Sequence, residues 1–174
     1  VGMFQFDSHS DTWDTYFGGF KYTHGTPFRR AIEENLIDPK KYVILGLRGG
    51  LYDPGDLTWA IEQGITIIST DKFYEIGMKE TIKIIKDVLG NIPTYFTFDI
   101  DGIDPTFAPG TGTPEVGGIN VREAQMVIRE LRDLNFIGAD VVEVSPPFDI
   151  NNMTSLVGAT IALEILCTMT KTNL

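Results

Sequence analysis

Short apolar runs alternate along the chain with segments in which apolar side chains recur at helical spacing. Runs rich in apolar and β-branched residues predict strands, and the helical spacing predicts helices between them. Strands that alternate with helices favour a parallel sheet with helices on both faces. The pattern therefore predicts an α/β fold of three layers, αβα, with a mostly parallel sheet. The strands are expected at residues 3–6, 42–47, 65–69, 94–98 and 137–144, and the helices at 26–35, 57–63, from 71, 78–89, 120–134 and 155–169.

Polar residues, prolines and glycines mark where several of these helices begin and end. Thr26 and Asp53 each precede a proline, and both are predicted N-caps. Asn120 is a third predicted N-cap, at the start of a strongly periodic segment. Gly64 and Gly90 are predicted to end the helices that precede them.

Two predicted loops, residues 7–25 and 100–118, are much longer than the about two to six residues usual in such units. Both begin where a predicted buried strand ends, at the edge of the sheet where open α/β proteins bind ligands. Long loops in compact α/β domains are usually functional. We therefore expect the functional site where these two loops begin.

An acidic cluster opens each long loop. Asp7, His9 and Asp11 alternate, which puts their side chains on one side of an extended segment. Asp99 and Asp101 repeat this spacing, and two carboxylates so close together need a cation or a shared proton. Taken alone, the first cluster is equally well explained by a turn with an exposed histidine. Together the clusters predict a site for two metal ions, and oxygen ligands with some imidazole suit Mn²⁺ better than structural Zn²⁺.

Composition narrows the class of protein. The chain has 174 residues, 43% of them hydrophobic, which fits one globular domain with a core. Its net charge of −10 disfavours a nucleic-acid surface and favours a cationic ligand, although many proteins without a charged partner are equally acidic. The only cysteine is Cys167, so no internal disulfide forms, and no apolar run reaches the length needed to span a membrane. Neither a membrane nor a nucleic-acid partner is expected.

Five motifs, occurring in order over essentially the whole chain, resemble the ureohydrolase family. Within that family they are most similar to the agmatinase and guanidinobutyrase branch. The resemblance implies an arginase-like fold. The motifs are Phe-Asp-Ser-His-Ser-Asp (6–11), His-Gly-Thr-Pro-Phe-Arg-Arg (24–30), Phe-Asp-Ile-Asp-Gly-Ile-Asp-Pro (98–105), Ala-Pro-Gly-Thr-Gly-Thr-Pro-Glu (108–115) and Gly-Ala-Asp-Val-Val-Glu-Val-Ser-Pro-Pro-Phe-Asp (138–149).

The resemblance implies a ligand set for two manganese ions per subunit of the complete protein. Asp7 and Asp99 would bridge both ions. Asp11 would complete the ligands that this chain offers to the first ion, and His9 and Asp101 would complete the second.

Two further residues match catalytic positions of the family. His24 matches a histidine that shuttles protons, and Glu143 matches the carboxylate that holds the substrate guanidinium. The chemistry supports both roles, because a carboxylate pairs with the N–H donors of a guanidinium, which stays protonated at any working pH. The leaving amine needs a proton, which a histidine can supply near neutrality. The alternatives are that His24 is a loop histidine without a catalytic role and that Glu143 is a surface acid at the end of a strand.

One ligand of the family has no counterpart here. It is a histidine in a Gly-Gly-Asp-His segment well upstream of the position that Asp7 matches, and both histidines of this chain are already assigned. We therefore expect residues 1–174 to be a single partial domain, the C-terminal portion of a ureohydrolase catalytic domain, without its N-terminal strands. On this interpretation the second metal site is whole and the first is open.

The activity implied is that of a manganese-dependent amidino hydrolase, which releases urea from a linear guanidino compound through a metal-bridging hydroxide. Agmatine, giving putrescine, is the first choice for this small cationic substrate, and guanidinobutyrate or guanidinopropionate is the next. A single-zinc deacetylase of the same broad fold and a metal-binding fragment without activity are the alternatives. The resemblance also implies a homotrimer or hexamer. A cytoplasmic location is expected, with a mitochondrial one left open.

Aromatic residues of the first long loop are candidates to line a pocket for an aliphatic chain, although aromatic packing within the loop explains them equally well. Arg48 and Tyr52, in another loop, are candidates to contact the tail of the substrate. The aromatic residues in question are Trp13, Tyr16, Phe17 and Tyr22.

Overall fold

A five-stranded parallel sheet forms the centre of the computed structural model, which describes residues 1–53 and 55–171. Its strands are, in chain order, Gly2–Phe6 (β1), Tyr42–Leu47 (β2), Thr66–Ser69 (β3), Thr94–Asp99 (β4) and Phe136–Val142 (β5). They lie side by side in the order β3-β2-β1-β4-β5, and every neighbouring pair is parallel. The predicted α/β fold with a mostly parallel sheet is confirmed, and each predicted strand is present.

The register of the central strands brings the starts of both long loops to one edge of the sheet. Phe6, the last residue of β1, is level with Leu45 of β2 and Phe98 of β4. Asp7 therefore follows β1 at the height at which Asp99 ends β4. Because parallel strands share their carboxyl edge, the two acidic clusters meet there.

In the part of the chain that the structure describes, five α-helices cover the two faces of the sheet. They are Pro27–Glu33 (α1), Thr58–Gln63 (α2), Thr70–Leu89 (α3), Val121–Glu130 (α4) and Met153–Thr170 (α5). One apolar cluster joins Phe4 and Phe96 to α3, α4 and α5, and a second joins Met3 and Tyr42 to α1 and α2. Alternate residues of a strand face opposite sides, so β1 contributes to both clusters. The predicted three-layer arrangement is confirmed.

Of the two helix starts predicted from a cap residue followed by proline, the one at Thr26 is confirmed and the one at Asp53 is wrong. Thr26 is the N-cap residue of α1, and Pro27 is its first residue, as predicted. Its hydroxyl makes no capping hydrogen bond, however, and donates instead to the carbonyl of Lys21 at 2.8 Å. Asp53 accepts a hydrogen bond from Gly55 at 2.7 Å, and α2 begins only at Thr58. The proline that belonged to this second prediction, Pro54, lies outside the described residues. In both cases the cap-like side chain satisfies a nearby loop instead of a helix.

The other helix signals are confirmed, with two changes of length. Gly64 ends α2 in the left-handed conformation, at φ 95°, and Asn120 forms a reciprocal capping box with Glu123. The helices predicted from 71 and at 78–89 are one element, α3, which is kinked where Gly77 has φ 79°. The helix predicted to reach residue 134 ends at Glu130 and continues as turns.

One helical segment, residues 150–170, is long and apolar enough to cross a membrane by length and composition alone, with a mean hydropathy of 1.5. The expectation that no segment reaches that length is therefore wrong. In the fold this segment contains α5, which packs against β5 and α4. Its one acidic side chain, Glu164, is buried and pairs with Arg129 of α4. Of its most apolar 18-residue stretch, 33% is buried within the fold.

Candidate metal centre

Three carboxylates lie buried side by side at the carboxyl edge of the two central strands. Asp7 follows β1, Asp99 ends β4, and Asp101 lies in the single helical turn Ile100–Gly102 that comes next. Their exposed fractions are 2%, 4% and 1%. Carboxylates are almost never buried to this degree without a partner, so the arrangement requires a compensating group.

His9 joins this group. Its Nδ1 lies 3.1 Å from Oδ2 of Asp101 and 3.7 Å from Oδ1 of Asp7. One ligand atom from each of these three residues lies within 4.8 Å of the others. The alternation of Asp7 and His9 therefore does place two potential ligands on one side of the chain, and Asp101 faces them from the second cluster.

The carboxylates perturb one another strongly. Burial, with the nearby charge of Asp99, raises the pKa of Asp7 well above its usual range, and burial with the charge of Asp101 does the same for the pKa of Asp99. Burial raises the pKa of Asp11 to about 7. Carboxylates that repel one another in a buried site are stabilised as anions by a bound cation. The cluster therefore fits a metal centre.

His9 and Asp101 shift in the direction expected of a charged pair. Burial by itself would raise the pKa of Asp101, but hydrogen bonds from His9 and Ser8 hold it below its usual range. Burial by itself would lower the pKa of His9, but the bond to Asp101 holds it above the usual value. Asp101 is thus the member of the cluster most readily kept ionised.

A layer of hydrogen bonds behind the carboxylates was not anticipated from the sequence. Gln5, fully buried in β1, donates from Nε2 to Oδ2 of Asp7 at 2.6 Å and accepts a hydrogen bond from the hydroxyl of Tyr42. Ser8 donates to Asp101 from its hydroxyl at 2.7 Å. A lone polar residue inside the apolar run 3–6 was the available signal for Gln5. Partners of this kind orient ligands and tune their basicity.

A cavity of about 200 Å³ opens above the cluster. Asp7 lies beneath it, within the ligand cluster. The two long loops and the end of β5 therefore bring all seven predicted site residues to one place. The six that line the cavity are His9, Asp11, His24, Asp99, Asp101 and Glu143.

Two of the cavity residues have left-handed backbone. Asp11 has φ 52° and Glu143 has φ 61°, a conformation that costs energy for residues other than glycine. Glu143 comes directly after β5, so this conformation turns the chain where the strand ends. His24 is solvent-exposed, and its ring packs edge-on against Tyr16 at 5.3 Å and Phe17 at 5.4 Å.

Aromatic side chains form one wall of the cavity. Trp13 packs against Tyr16 at 4.9 Å and against Tyr52 at 5.2 Å, and the two tyrosine hydroxyls lie 3.0 Å apart. These three residues line the cavity, and Phe17 contacts the wall through Tyr16. Tyr22, which was also a candidate, does not line the cavity. It lies at a separate surface beside Pro27.

The structure also corrects one candidate and adds another. Arg48 does not point into the cavity, because its guanidinium donates hydrogen bonds to backbone carbonyls, including that of Asp101 at 2.8 Å. Glu115 lines the cavity, and its Oε1 lies 3.6 Å from Nε2 of His9. Glu115 belongs to the motif at 108–115, but its place in a Gly- and Pro-rich loop carried no signal for a role.

Comparisons with known proteins agree with this geometry. The arginase family model matches residues 1–168. The chain is 55% identical to a guanidinopropionase of Pseudomonas aeruginosa over 167 residues, which is 96% of this chain and 52% of that protein. It is 44% identical to an agmatinase of Neisseria gonorrhoeae over 166 residues, or 95% of this chain and 50% of that one.

The fold has a solved counterpart. Proclavaminate amidino hydrolase from Streptomyces clavuligerus superimposes with a TM-score of 0.91 at 40% sequence identity, over 99% of this chain and 56% of that one. The chain thus spans about half of the length of the curated relatives that it matches. With a parallel αβα fold, a buried acidic cluster at the expected edge, and a family match over nearly all of its residues, the chain belongs to the arginase family.

Proposed function

We propose that the protein is a manganese-dependent amidino hydrolase, which releases urea from a linear guanidino compound. One observation carries the proposal: three buried carboxylates and His9 form the floor of a cavity that Glu143 and His24 also line. The family match supports the reaction class. A cluster of this type supplies the charge that metal ions need, and the cavity supplies room for a small substrate.

The residues divide into two ligand sets. Asp7, Asp11 and Asp99 would hold one Mn²⁺, and Asp7, His9, Asp99 and Asp101 the other. Bound ions would provide hydroxide at neutral pH, which the poorly electrophilic guanidinium carbon requires. A sixth protein ligand, a histidine, would come from outside these 174 residues.

The remaining roles belong to side chains at the mouth of the cavity. The Glu143 carboxylate accepts hydrogen bonds from the substrate guanidinium and holds its carbon over the acidic floor. His24 donates a proton to the departing amine, so that the leaving group is neutral. The aromatic wall of Trp13, Tyr16 and Tyr52 excludes water beside the aliphatic chain of the substrate.

Guanidinopropionate is the substrate that the comparisons favour, because the identity to the guanidinopropionase is 55% and that to the agmatinase 44%. A specific observation favours agmatine instead. The cavity lining includes the Glu115 carboxylate, and no Lys or Arg stands among the described lining residues. A cationic tail is complementary to such a lining, whereas a carboxylate tail is not.

A urea-release assay distinguishes these possibilities. The full-length protein, loaded with Mn²⁺, is offered guanidinopropionate, guanidinobutyrate, agmatine and arginine at equal concentrations. Urea from one of the first three compounds supports the proposal and identifies the tail of the substrate. Absence of urea from all four, with two Mn²⁺ bound, contradicts it and leaves a metal-binding protein without this activity.

Metal analysis of the purified protein tests the cofactor. Two Mn²⁺ per chain are expected. One tightly bound Zn²⁺ per chain would instead indicate chemistry of the deacetylase type.

The chain is also proposed to be the C-terminal portion of a longer catalytic domain. It spans about half of each curated relative. The structure offers a surface for further segments: β5 lies at an edge of the sheet, and α5 exposes a row of apolar side chains. We further expect a cytoplasmic homotrimer or hexamer, which light scattering on the full-length protein would measure. The exposed apolar residues of α5 are Met153, Leu156, Leu163 and Leu166.

A further inference from the structure

Arg48 lies directly behind the acidic floor, just beyond the end of β2. Its backbone N–H donates to the carbonyl of Ser8 at 3.1 Å, between Asp7 and His9 in the chain. Its guanidinium extends in the other direction, towards the segment that follows β4. One residue therefore contacts both of the segments that carry the acidic clusters.

Among the described residues, the hydrogen bonds of the guanidinium all go to backbone carbonyls. It donates to the carbonyls of Asp101 at 2.8 Å and Glu115 at 2.7 Å. It also donates to Gly46 and Gly102, each at 3.1 Å, and to Ile103 at 3.3 Å. These carbonyls come from the end of β2, from the turn after β4 and from residue 115, so the side chain ties the beginning and a later part of the second long loop to the end of β2.

The second long loop carries two groups that touch the proposed ligands. Thr113, two residues before Glu115, donates to Oδ2 of Asp101 at 3.2 Å. The Glu115 carboxylate lies 3.6 Å from Nε2 of His9. The position of the backbone at residues 101 and 115 therefore determines how Asp101 and His9 face each other.

The chain leaves room for this side chain. A Cβ at Gly118 would come within 2.5 Å of Nη2 of Arg48, so a larger residue there would displace the guanidinium. Lysine cannot replace the group, because its ammonium is a point charge with three donors, whereas the guanidinium is planar with five.

We propose that Arg48 is a positioning residue of the metal centre, which holds the turn after β4 and the loop at Glu115 so that Asp101 and His9 face one ion. The inference rests on the proposed function in one respect, that this cluster binds Mn²⁺. Arg48 itself touches neither substrate nor reacting atoms.

The test uses the full-length protein and three variants. Arg48→Lys keeps the charge and loses the planar donors, and Arg48→Met loses both. Arg129→Lys is the matched control, because Arg129 also makes a partly buried charged contact, with Glu164, far from the cavity. Mn²⁺ affinity of the metal-free proteins, their thermal midpoints, and kcat and KM are measured for each.

Both Arg48 variants should bind Mn²⁺ about 10- to 100-fold more weakly, as is usual when a group that orients ligands is lost. KM for the guanidino substrate should stay within about 2-fold, because none of the Arg48 hydrogen bonds reaches Glu143 or the aromatic wall. Excess Mn²⁺ should restore part of kcat in Arg48→Lys. Arg129→Lys should lower only the thermal midpoint.

Wild-type Mn²⁺ affinity in both Arg48 variants would overturn the inference. So would failure of both to fold while Arg129→Lys folds, since Arg48 would then serve the fold and not the site. A wild-type protein that binds no Mn²⁺ would instead contradict the proposed function, which keeps the two failures distinct.

Discussion

The floor and the rim of the cavity are built in different ways. Each floor carboxylate is at most 4% exposed and is held by hydrogen bonds from neighbouring side chains or backbone. The rim residues are half-buried or exposed and lie in loops or just after a strand, as with Tyr52, which is 77% exposed. The floor consists of Asp7, His9, Asp99 and Asp101, and the rim of Trp13, Tyr16, His24, Tyr52 and Glu143.

This difference indicates that the floor and the rim have different roles. Groups at the edge of a rigid sheet keep their relative positions within narrow limits, as metal coordination requires, whereas loops tolerate change. The floor should therefore determine whether the reaction occurs at all. The rim should determine which guanidino compound is accepted and how its guanidinium is presented.

Loss of a floor ligand should have the largest effect. In Asp101→Ala, one ligand of the Asp7–His9–Asp101 cluster is gone, so Mn²⁺ affinity should fall by more than about 100-fold, beyond the loss seen when only a ligand's partner is removed. Turnover should be undetectable, while circular dichroism shows the fold intact. Asp133→Ala, which removes a surface carboxylate paired with Lys86, should change neither property. Near-normal turnover in Asp101→Ala would remove Asp101 from the site.

Loss of the rim carboxylate, Glu143, should have a smaller effect, on the substrate and not on the metal. Glu143→Gln keeps the shape but not the charge that pairs with the guanidinium, at a cost of about 2–4 kcal/mol, or about 30- to 1,000-fold in kcat/KM. Mn²⁺ affinity should not change, and Glu130→Gln on the exposed side of α4 serves as the control. A parallel loss of Mn²⁺ would place Glu143 in the floor.

The acidic floor should also affect how the stability of the metal-free protein depends on pH. Burial raises the pKa of Asp11, which lines the cavity beside the floor, to about 7, and it raises those of Asp7 and Asp99 well above 3.8. Between pH 4 and 7 the native state therefore holds protons that the unfolded state has lost. The free energy of unfolding should therefore fall as pH rises through this window. Mn²⁺ displaces those protons, so its affinity should rise over the same range.

Thermal midpoints measured from pH 5 to 8, with and without Mn²⁺, check this expectation. Asp99→Asn removes one of the perturbed carboxylates and should flatten the dependence in the metal-free protein. A metal-free protein that becomes more stable from pH 5 to 8 would show that the floor carboxylates are ionised without a cation.

The smallest effect is expected at the aromatic wall. Tyr52→Phe removes the hydrogen bond to the Tyr16 hydroxyl, a bond of about 0.5–1.5 kcal/mol. KM should therefore change by about 2- to 12-fold, to an extent that differs between substrates, while kcat and Mn²⁺ affinity stay the same. Tyr22→Phe is the matched control, because Tyr22 is equally exposed but lies outside the cavity. Equal changes of KM for all substrates would show that the aromatic wall does not discriminate between substrate tails.

Much of the site was predictable because its ligands lie at the ends of strands that local pattern identifies. Asp7 and Asp99 follow apolar runs, and their meeting at one edge follows from parallel pairing. Gln5, Glu115 and Arg48 were missed or misplaced. Each acts on a residue distant in the chain, or lies in a segment whose composition indicates only a turn or an apolar strand.

The starts of two helices show the same limit of prediction from local sequence. Thr26 and Asp53 carry the local signature of an N-cap, but a loop carbonyl and a loop N–H compete successfully for their side chains. Local propensity is a weak prior when tertiary contacts offer an alternative partner.

By itself, the sequence determined the alternation of strands and helices, the parallel sheet, and the two acidic clusters at strand ends, because hydrophobic period and short spacing are local properties. Only the tertiary structure decided what surrounds those clusters. The bond from Tyr42 to Gln5, the approach of Glu115 to His9 and the bonds of Arg48 to the second long loop join residues far apart in the chain. Such contacts depend on how the loops fold back over the sheet, and no local pattern records that.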